Sequence, residues 1–267
     1  MDQVTIPQQA GLLRVRRPSD GVACVQMEDG ANNNALSHAM VDALGAAFAA
    51  LGRDRTIRAV VVAGLDEVFC SGASREVLED LVSGRRAASE ILLPRLLLEC
   101  PVPCLSAMAG HAVGGGFAFG IAADIVLMGR ESRYCLNFLN MGFTPGMGTT
   151  VLFEHALSPA VAHELMFSGE ARLGRDFEGR SGINHILPRD QVLAKAFDLA
   201  ARIAEKPRQA LVALKRALSS ARRQAFEAGR TQEALMHEVS FAAPGVADLI
   251  GEMFGGGAVQ GKSKDRK

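Results

Sequence analysis

Three consecutive glycines, Gly114, Gly115 and Gly116, stand directly before the apolar run 117–122. A glycine cluster at a helix start leaves backbone N–H groups without intrahelical acceptors and lets another segment approach the backbone closely. The positive end of the helix dipole points the same way. Residues 104–109 before the cluster and 125–128 after the helix read as strands, so the glycines mark a strand-to-helix junction. A second loop, Phe69-Cys70-Ser71-Gly72-Ala73-Ser74, follows the β-branched run Ala-Val-Val-Val-Ala at 59–63 and its Gly64. Such loops suit a phosphate or a developing oxyanion, and they equally suit tight helix–strand packing. Neither spacing is G-x-G-x-x-G or G-x-x-x-x-G-K-[ST], so the phosphate reading is weak.

The surrounding pattern predicts an α/β fold. Residues 12–17 and 22–27 alternate apolar and polar, as half-buried strands do. Ser37 can cap a helix to about residue 52, with Met40, Val41, Leu44, Phe48 and Leu51 on one face. Strand–helix–strand alternation with glycine-marked turns predicts right-handed ββα or βαβ crossover units. From residue 149 helices dominate, with Ser158-Pro159 as a helix start. Helices are expected over about 159–167, 189–205, 207–221, 227–241 and 244–253. The expected organisation is a spiral core over 1–190, a helical C-terminal region over 191–255 and a disordered Gly/Lys-rich tail over 256–267.

Composition narrows the function. Lys+Arg and Asp+Glu number 29 each, which gives no global electrostatic reason to bind nucleic acid. One Tyr and no Trp argue against an aromatic-lined sugar or nucleic-acid site. The five cysteines form no C-x-x-C pair and read as reduced, buried thiols. No signal pattern or apolar run of membrane-spanning length is present, so the expectation is a cytoplasmic protein without membrane contact. His111, inside the second loop, reads as structural; His38, His155, His163 and His185 show no metal spacing and no H-E-x-x-H occurs, so no metal is expected.

The order of the motifs carries more than any one of them. Phe-Cys-Ser-Gly-Ala, then Gly110-His-Ala-Val-Gly-Gly-Gly, then Asp124, then Gly142-Phe-Thr-Pro-Gly-Met-Gly resembles the crotonase (enoyl-CoA hydratase/isomerase) superfamily over about residues 12–254. The resemblance implies a ββα-spiral core with a helical trimerisation region, trimers often paired as hexamers, and an acyl thioester on a pantetheine arm. It implies no cofactor beyond the phosphopantetheine of coenzyme A or an acyl carrier protein. It places two thioester-holding N–H donors at Ala73 and Gly115, with Gly114 and Phe117 beside them. Each such donor favours an enolate over a carbonyl by ~3–4 kcal/mol.

Two departures limit the chemistry. A hydratase of the family carries acidic residues where this chain has Ala118 and Phe138. Adding water to an enoyl thioester needs a base for the water and an acid for the α-carbon, and neither residue moves a proton. Glu76 and Glu131 lie nearby in sequence and read as surface carboxylates. A pocket walled by Phe117, Phe119, Phe138 and Phe143 suits loss of CO2 instead, because that step needs no base. Asn140 and Thr144, near the vacated acid position, are expected to hold water or the substrate carboxylate.

Segments 69–74, 140–149 and 232–241 resemble the polyketide β-branching branch of the crotonases, which decarboxylates a carrier-bound 3-methylglutaconyl group. By that resemblance His237 orients substrate or delivers the last proton, a task suited to imidazole. The branch carries a lysine after the first donor. Here the segment holds Arg85 and Arg86 instead, with Arg85 the better positional match. Arginine binds a carboxylate but donates no proton. Arg16-Arg17, Arg85-Arg86, Arg222-Arg223 and Lys215 are candidates for receiving an acidic carrier or a coenzyme phosphate. A carrier-bound decarboxylase, an enoyl-thioester isomerase or hydratase, and a non-catalytic acyl-carrier-binding protein all remain open from the residues alone.

Overall fold

The computed structural model describes residues 9–87 and 91–255. The expected tail, 256–267, lies outside the described residues. The chain opens with an antiparallel hairpin, β1 (Leu13–Ser19) and β2 (Val22–Met27), and then α1 (His38–Arg53), whose Met40 N–H is capped by the Ser37 side chain. From β3 to β8 the strands alternate between two sheets. The six-stranded sheet takes β3 (Ala59–Ala63), β5 (Cys104–Met108), β7 (Ile125–Gly129) and β10 (His185–Leu187) beside the hairpin, in the order β1-β2-β3-β5-β7-β10. The four-stranded sheet takes β4 (Val68–Cys70), β6 (His111–Val113), β8 (Arg133–Cys135) and β9 (Arg172–Leu173). Each turn of the chain thus lays one strand in each sheet before a helix follows. Helices α2 (Arg75–Val82) and α3 (Leu93–Glu99) follow β4, and α4 (Gly115–Ile121) follows β6. This is the spiral expected from the glycine-marked alternation.

β3 explains why its sequence does not alternate. Val60 and Val62 enter the main core between the sheets and helices, while Ala59, Val61 and Ala63 meet the apolar stripe of α7 (Arg189–Ala204), namely Val192, Ala196, Ala200 and Ala204. A parallel strand covered on both faces has no solvent side to mark with polar residues.

Helices α5 (Thr149–Ala156) and α6 (Pro159–Ser168), then α7, α8 (Arg208–Ser240) and α9 (Val246–Gly255), complete the fold. The two helices expected over 207–221 and 227–241 are one helix of 33 residues. The sequence conceals this because the docking face of α8 is largely polar: Lys215, Ser219, Arg222, Phe226, Gly229, Glu233, His237 and Ser240 follow one another at three- and four-residue steps. Asp124, at the end of α4, accepts from Lys215 Nζ at 2.5 Å, Arg222 at 2.6 Å and the Cys104 N–H at 2.8 Å. That paired cluster, with Lys215 also donating to the Leu97 carbonyl, pins the middle of α8 to the core. Lys215 and Arg222 are therefore fastening residues and not part of a carrier-binding patch. Among the described residues no helix is long and apolar enough to cross a membrane.

Candidate active site

Strand pairing brings the two loops together. β4 and β6 are parallel neighbours, with Val68 opposite His111 and Cys70 opposite Ala112. Their C-terminal ends therefore leave the sheet side by side, one into α2 and the other into α4. A Cβ on Gly72 would stand 2.8 Å from the Val113 carbonyl oxygen and 3.7 Å from the Gly115 nitrogen, so only glycine lets the loops meet this closely. Gly72 also has φ +90°, which favours glycine on its own account.

The first loop is held from beneath. Leu36 donates to the Gly72 carbonyl at 2.8 Å and accepts from Ser74 at 3.4 Å, a bridge that uses the neighbours of Ala73 and turns the Ala73 N–H away. Buried Asn34 donates to the Phe69 carbonyl at 3.1 Å, and the Ser71 N–H donates to the Asn33 carbonyl. In the second loop, Gly114 donates to the Cys135 carbonyl, and Gly115 begins α4 with no intrahelical acceptor for its N–H. Among the described residues neither the Ala73 nor the Gly115 N–H meets an acceptor, and both residues line one cavity of about 750 Å3. The neighbouring Cys70 is no nucleophile, since burial pushes its thiol up to about 12.

The opposite wall is aromatic. Phe138 meets Phe143 edge-on at 6.0 Å, Phe143 stacks on Phe241 at 4.8 Å, and Phe241 lies 5.2 Å from the ring of His237. All four line the cavity. His237 donates Nε2–H to the Thr144 carbonyl at 2.9 Å, while among the described residues its buried Nδ1 has no hydrogen-bond partner. Burial lowers the pKa of the ring, opposed by the carbonyls of Thr144 and Pro145, so the neutral form is favoured. A carbonyl only accepts, which assigns the proton to Nε2 and leaves Nδ1 as an open lone pair.

Several expected site residues lie elsewhere. Phe117 is fully buried behind the glycines, packed on Phe153 at 4.8 Å and Tyr134 at 5.2 Å, and Phe119 is buried likewise. Ala118 is buried and contributes no wall. In a helix entered at Gly115 these side chains project into the core, and only the leading backbone faces the cavity. Asn140 is exposed and donates to the Gly169 carbonyl at 3.0 Å, and the Thr144 hydroxyl pairs with Ser240 at 3.1 Å. Thr144 serves the site through its carbonyl and not its side chain. Arg85 turns out to Asp80 at 2.6 Å and does not line the cavity. Arg86 contacts His38 and lines a smaller cavity of about 390 Å3 that shares Leu81, His237 and Phe241 with the larger one. Glu131 caps α7 by accepting from the Arg189 N–H, whereas Glu76, expected on the surface, stands exposed on the cavity rim. It is the only carboxylate on that wall among the described residues.

Sequence reading also passed over residues that shape the cavity. Phe241 lies one turn beyond His237, a helical spacing that was legible. Met147, between two glycines, lines the wall with φ +63°. Met253 and Phe254 of α9 close the mouth, and nothing local in the sequence brings that helix back to α2.

Residues 17–258 match the enoyl-CoA hydratase/isomerase family. The chain is 38% identical to the bacillaene synthase decarboxylase PksI of Bacillus subtilis over 231 residues, covering 86% of this chain and 93% of that one. It is similar to a solved structure from a dehydratase/decarboxylase enzyme couple involved in polyketide β-branching, with TM-score 0.88 and 36% identity over 92% of this chain and all of that one. It is also similar to the decarboxylase domain of CurF from Lyngbya majuscula, with TM-score 0.85 and 33% identity over 91% of this chain and all of that one.

Proposed function

We propose that this chain, which belongs to the enoyl-CoA hydratase/isomerase family and stands close to its polyketide decarboxylase branch, decarboxylates a 3-methylglutaconyl thioester carried on an acyl carrier protein. The observation that carries the reading is the wall facing Ala73 and Gly115. Where a hydratase of the family places an acid, Phe138 packs against Phe143, and Ala118 is buried. A cavity with two open N–H donors and an aromatic wall stabilises an anion that forms without a base.

In the proposed step the thioester oxygen accepts from the Ala73 and Gly115 N–H groups. The bond between C4 and the C5 carboxylate breaks, CO2 leaves, and the electron pair spreads through C4, C3 and C2 to the thioester oxygen as a dienolate. A proton then closes the product, at C2 to give a β,γ-alkene or at C4 to give an α,β-alkene. His237, the titratable side chain deepest in the wall, is the proposed orienting group. It supplies the closing proton only as the imidazolium, after Nδ1 takes a proton from water, and returns to the neutral ring on delivery. Arg86 replaces Arg85 as the proposed anchor for the carboxylate. Exposed Leu214, Leu218, Leu235 and Val239 on α8, with Phe167 on α6, support self-association as the expected trimer or hexamer.

Incubation with 3-methylglutaconyl-loaded carrier protein tests the reading. Intact-protein mass spectrometry should show loss of CO2 from the carrier, and no loss would overturn it. A second reading, enoyl-thioester isomerase, draws on Glu76 at the rim and the open Nδ1 of His237 as candidate bases. It predicts a spectral shift of an enoyl thioester at unchanged mass.

A further inference from the structure

Met147 holds a left-handed backbone conformation on the cavity wall, φ +63°, a region that non-glycine residues occupy at a cost. Its position bears on the anion hole, since a Cβ on Gly115 would meet the Met147 Sδ at 3.0 Å. Such a conformation persists only where its surroundings over-determine it. On one side, the Gly146 carbonyl accepts from the Thr149 N–H and hydroxyl. On the other stands Glu233, 1% exposed. Its carboxylate accepts from the Gly148 N–H at 2.6 Å, the Thr150 N–H at 2.9 Å and the Thr150 hydroxyl at 2.8 Å. Gly148 is the N-cap of α5 and has no side chain to cap it, so a carboxylate from another helix does so. The Phe226 ring closes the remaining side, where a Cβ on Gly148 would come within 2.3 Å of it.

We propose that Glu233 is a positioning residue: one turn before His237 on α8, it holds Met147 against the Gly115 donor and so sets the shape of the anion hole. His237 and Ser240 fasten the start of the same loop, at the Thr144 carbonyl and at the Thr144 N–H and hydroxyl. The three α8 residues thus fix both ends of segment 144–150. Glutamine at 233 would keep one acceptor oxygen and turn an amide toward an N–H donor, leaving part of the clamp unmade. The inference rests on the anion-hole reading of the site but not on the decarboxylation step.

The test uses Glu233→Gln, Met147→Gly and the double variant of the full chain, with Glu233→Asp held in reserve should Glu233→Gln fail to fold. Two readouts are taken: amide hydrogen exchange over 146–150, and the infrared shift of the thioester carbonyl of bound 3-methylcrotonyl-pantetheine. Glu233→Gln should speed exchange at least tenfold and at least halve the carbonyl shift. In the Met147→Gly background, where glycine adopts the conformation freely, the same change should move the carbonyl shift little. Unchanged exchange, an unchanged carbonyl shift beside faster exchange, or equal losses in both backgrounds would overturn the inference. A normal carbonyl shift in the wild type without CO2 release would overturn the decarboxylase reading alone.

Discussion

The Nε2–H of His237 donates to the Thr144 carbonyl at 2.9 Å, and among the described residues its buried Nδ1 has no hydrogen-bond partner. In the proposed step a proton passing from His237 to the dienolate is carried on Nδ1 of the imidazolium, because the Nε2–H is held by Thr144. His237→Ala is expected to slow product formation by about 10²–10⁴-fold, the usual contribution of general acid catalysis, and to alter the ratio of α,β- to β,γ-alkene. Nuclear magnetic resonance of the released acyl chain reads both. An unaltered rate and ratio would remove His237 from the chemistry.

The same burial makes stability pH-dependent in a defined direction. Because the folded pKa of His237 lies below its unfolded value, protonation is harder in the native state. The stability is therefore fully present above about pH 6.5, the unfolded value, and is lost as pH falls through the window below it. The slope contributed by one proton is less than about 1.4 kcal/mol per pH unit. Urea denaturation between pH 7 and pH 5 should show a shallower loss for His237→Gln than for the wild type. Parallel curves would refute the assignment.

Gly116 separates the two loops by its lack of a side chain. A Cβ there would lie 2.6 Å from the Cys70 carbonyl oxygen and from Cys70 Cβ and Sγ. Gly116→Ala must push the strands apart where the donors meet. Displacing one donor is expected to cost about 10²–10³ in turnover, and the overpacking about 1–3 kcal/mol in stability. Gly115→Ala offers the contrast, since its Cβ meets only flexible side-chain ends, Met147 Sδ at 3.0 Å and Leu36 Cδ1 at 3.2 Å. Thermal melts should separate the two variants.

Arg85 and Arg86 should behave differently despite their adjacency. Arg85 forms a solvent-screened pair with Asp80, and Arg85→Ala should leave KM within twofold. Arg86→Ala should raise KM for the loaded carrier by about 10- to 100-fold, the loss of one charge-assisted contact to a carboxylate. Equal KM values for the two variants would deny Arg86 the anchoring role.

Asp124 carries three hydrogen bonds from α8 and β5. Asp124→Ala leaves Lys215, 4% exposed, as an uncompensated buried charge and is expected to destabilise the fold by about 3–5 kcal/mol. Chemical denaturation followed by circular dichroism measures this directly.

The spiral and the two glycine-rich loops were legible in the residues alone, because both rest on local features. The run Ala59–Ala63 needs cover on two faces, Gly72 must adopt φ +90°, and Gly114 to Gly116 open a helix without a side-chain cap. The sequence also placed His237 on a helix and showed Ala118 and Phe138 where acids would stand. Which side chains face the cavity depends on long-range packing. Phe117 and Ala118 turn into the core because α4 enters backbone-first, Arg85 follows Asp80 outward, and Arg86 lines the smaller cavity beside His237. Long-range packing also joined α8 into one helix, since a docking face built from Lys215, Arg222, Glu233 and His237 leaves no apolar period to read. Those polar groups are satisfied by Asp124, Thr144, Gly148 and Thr150, partners more than eighty residues away in the chain, and no local pattern encodes that distance.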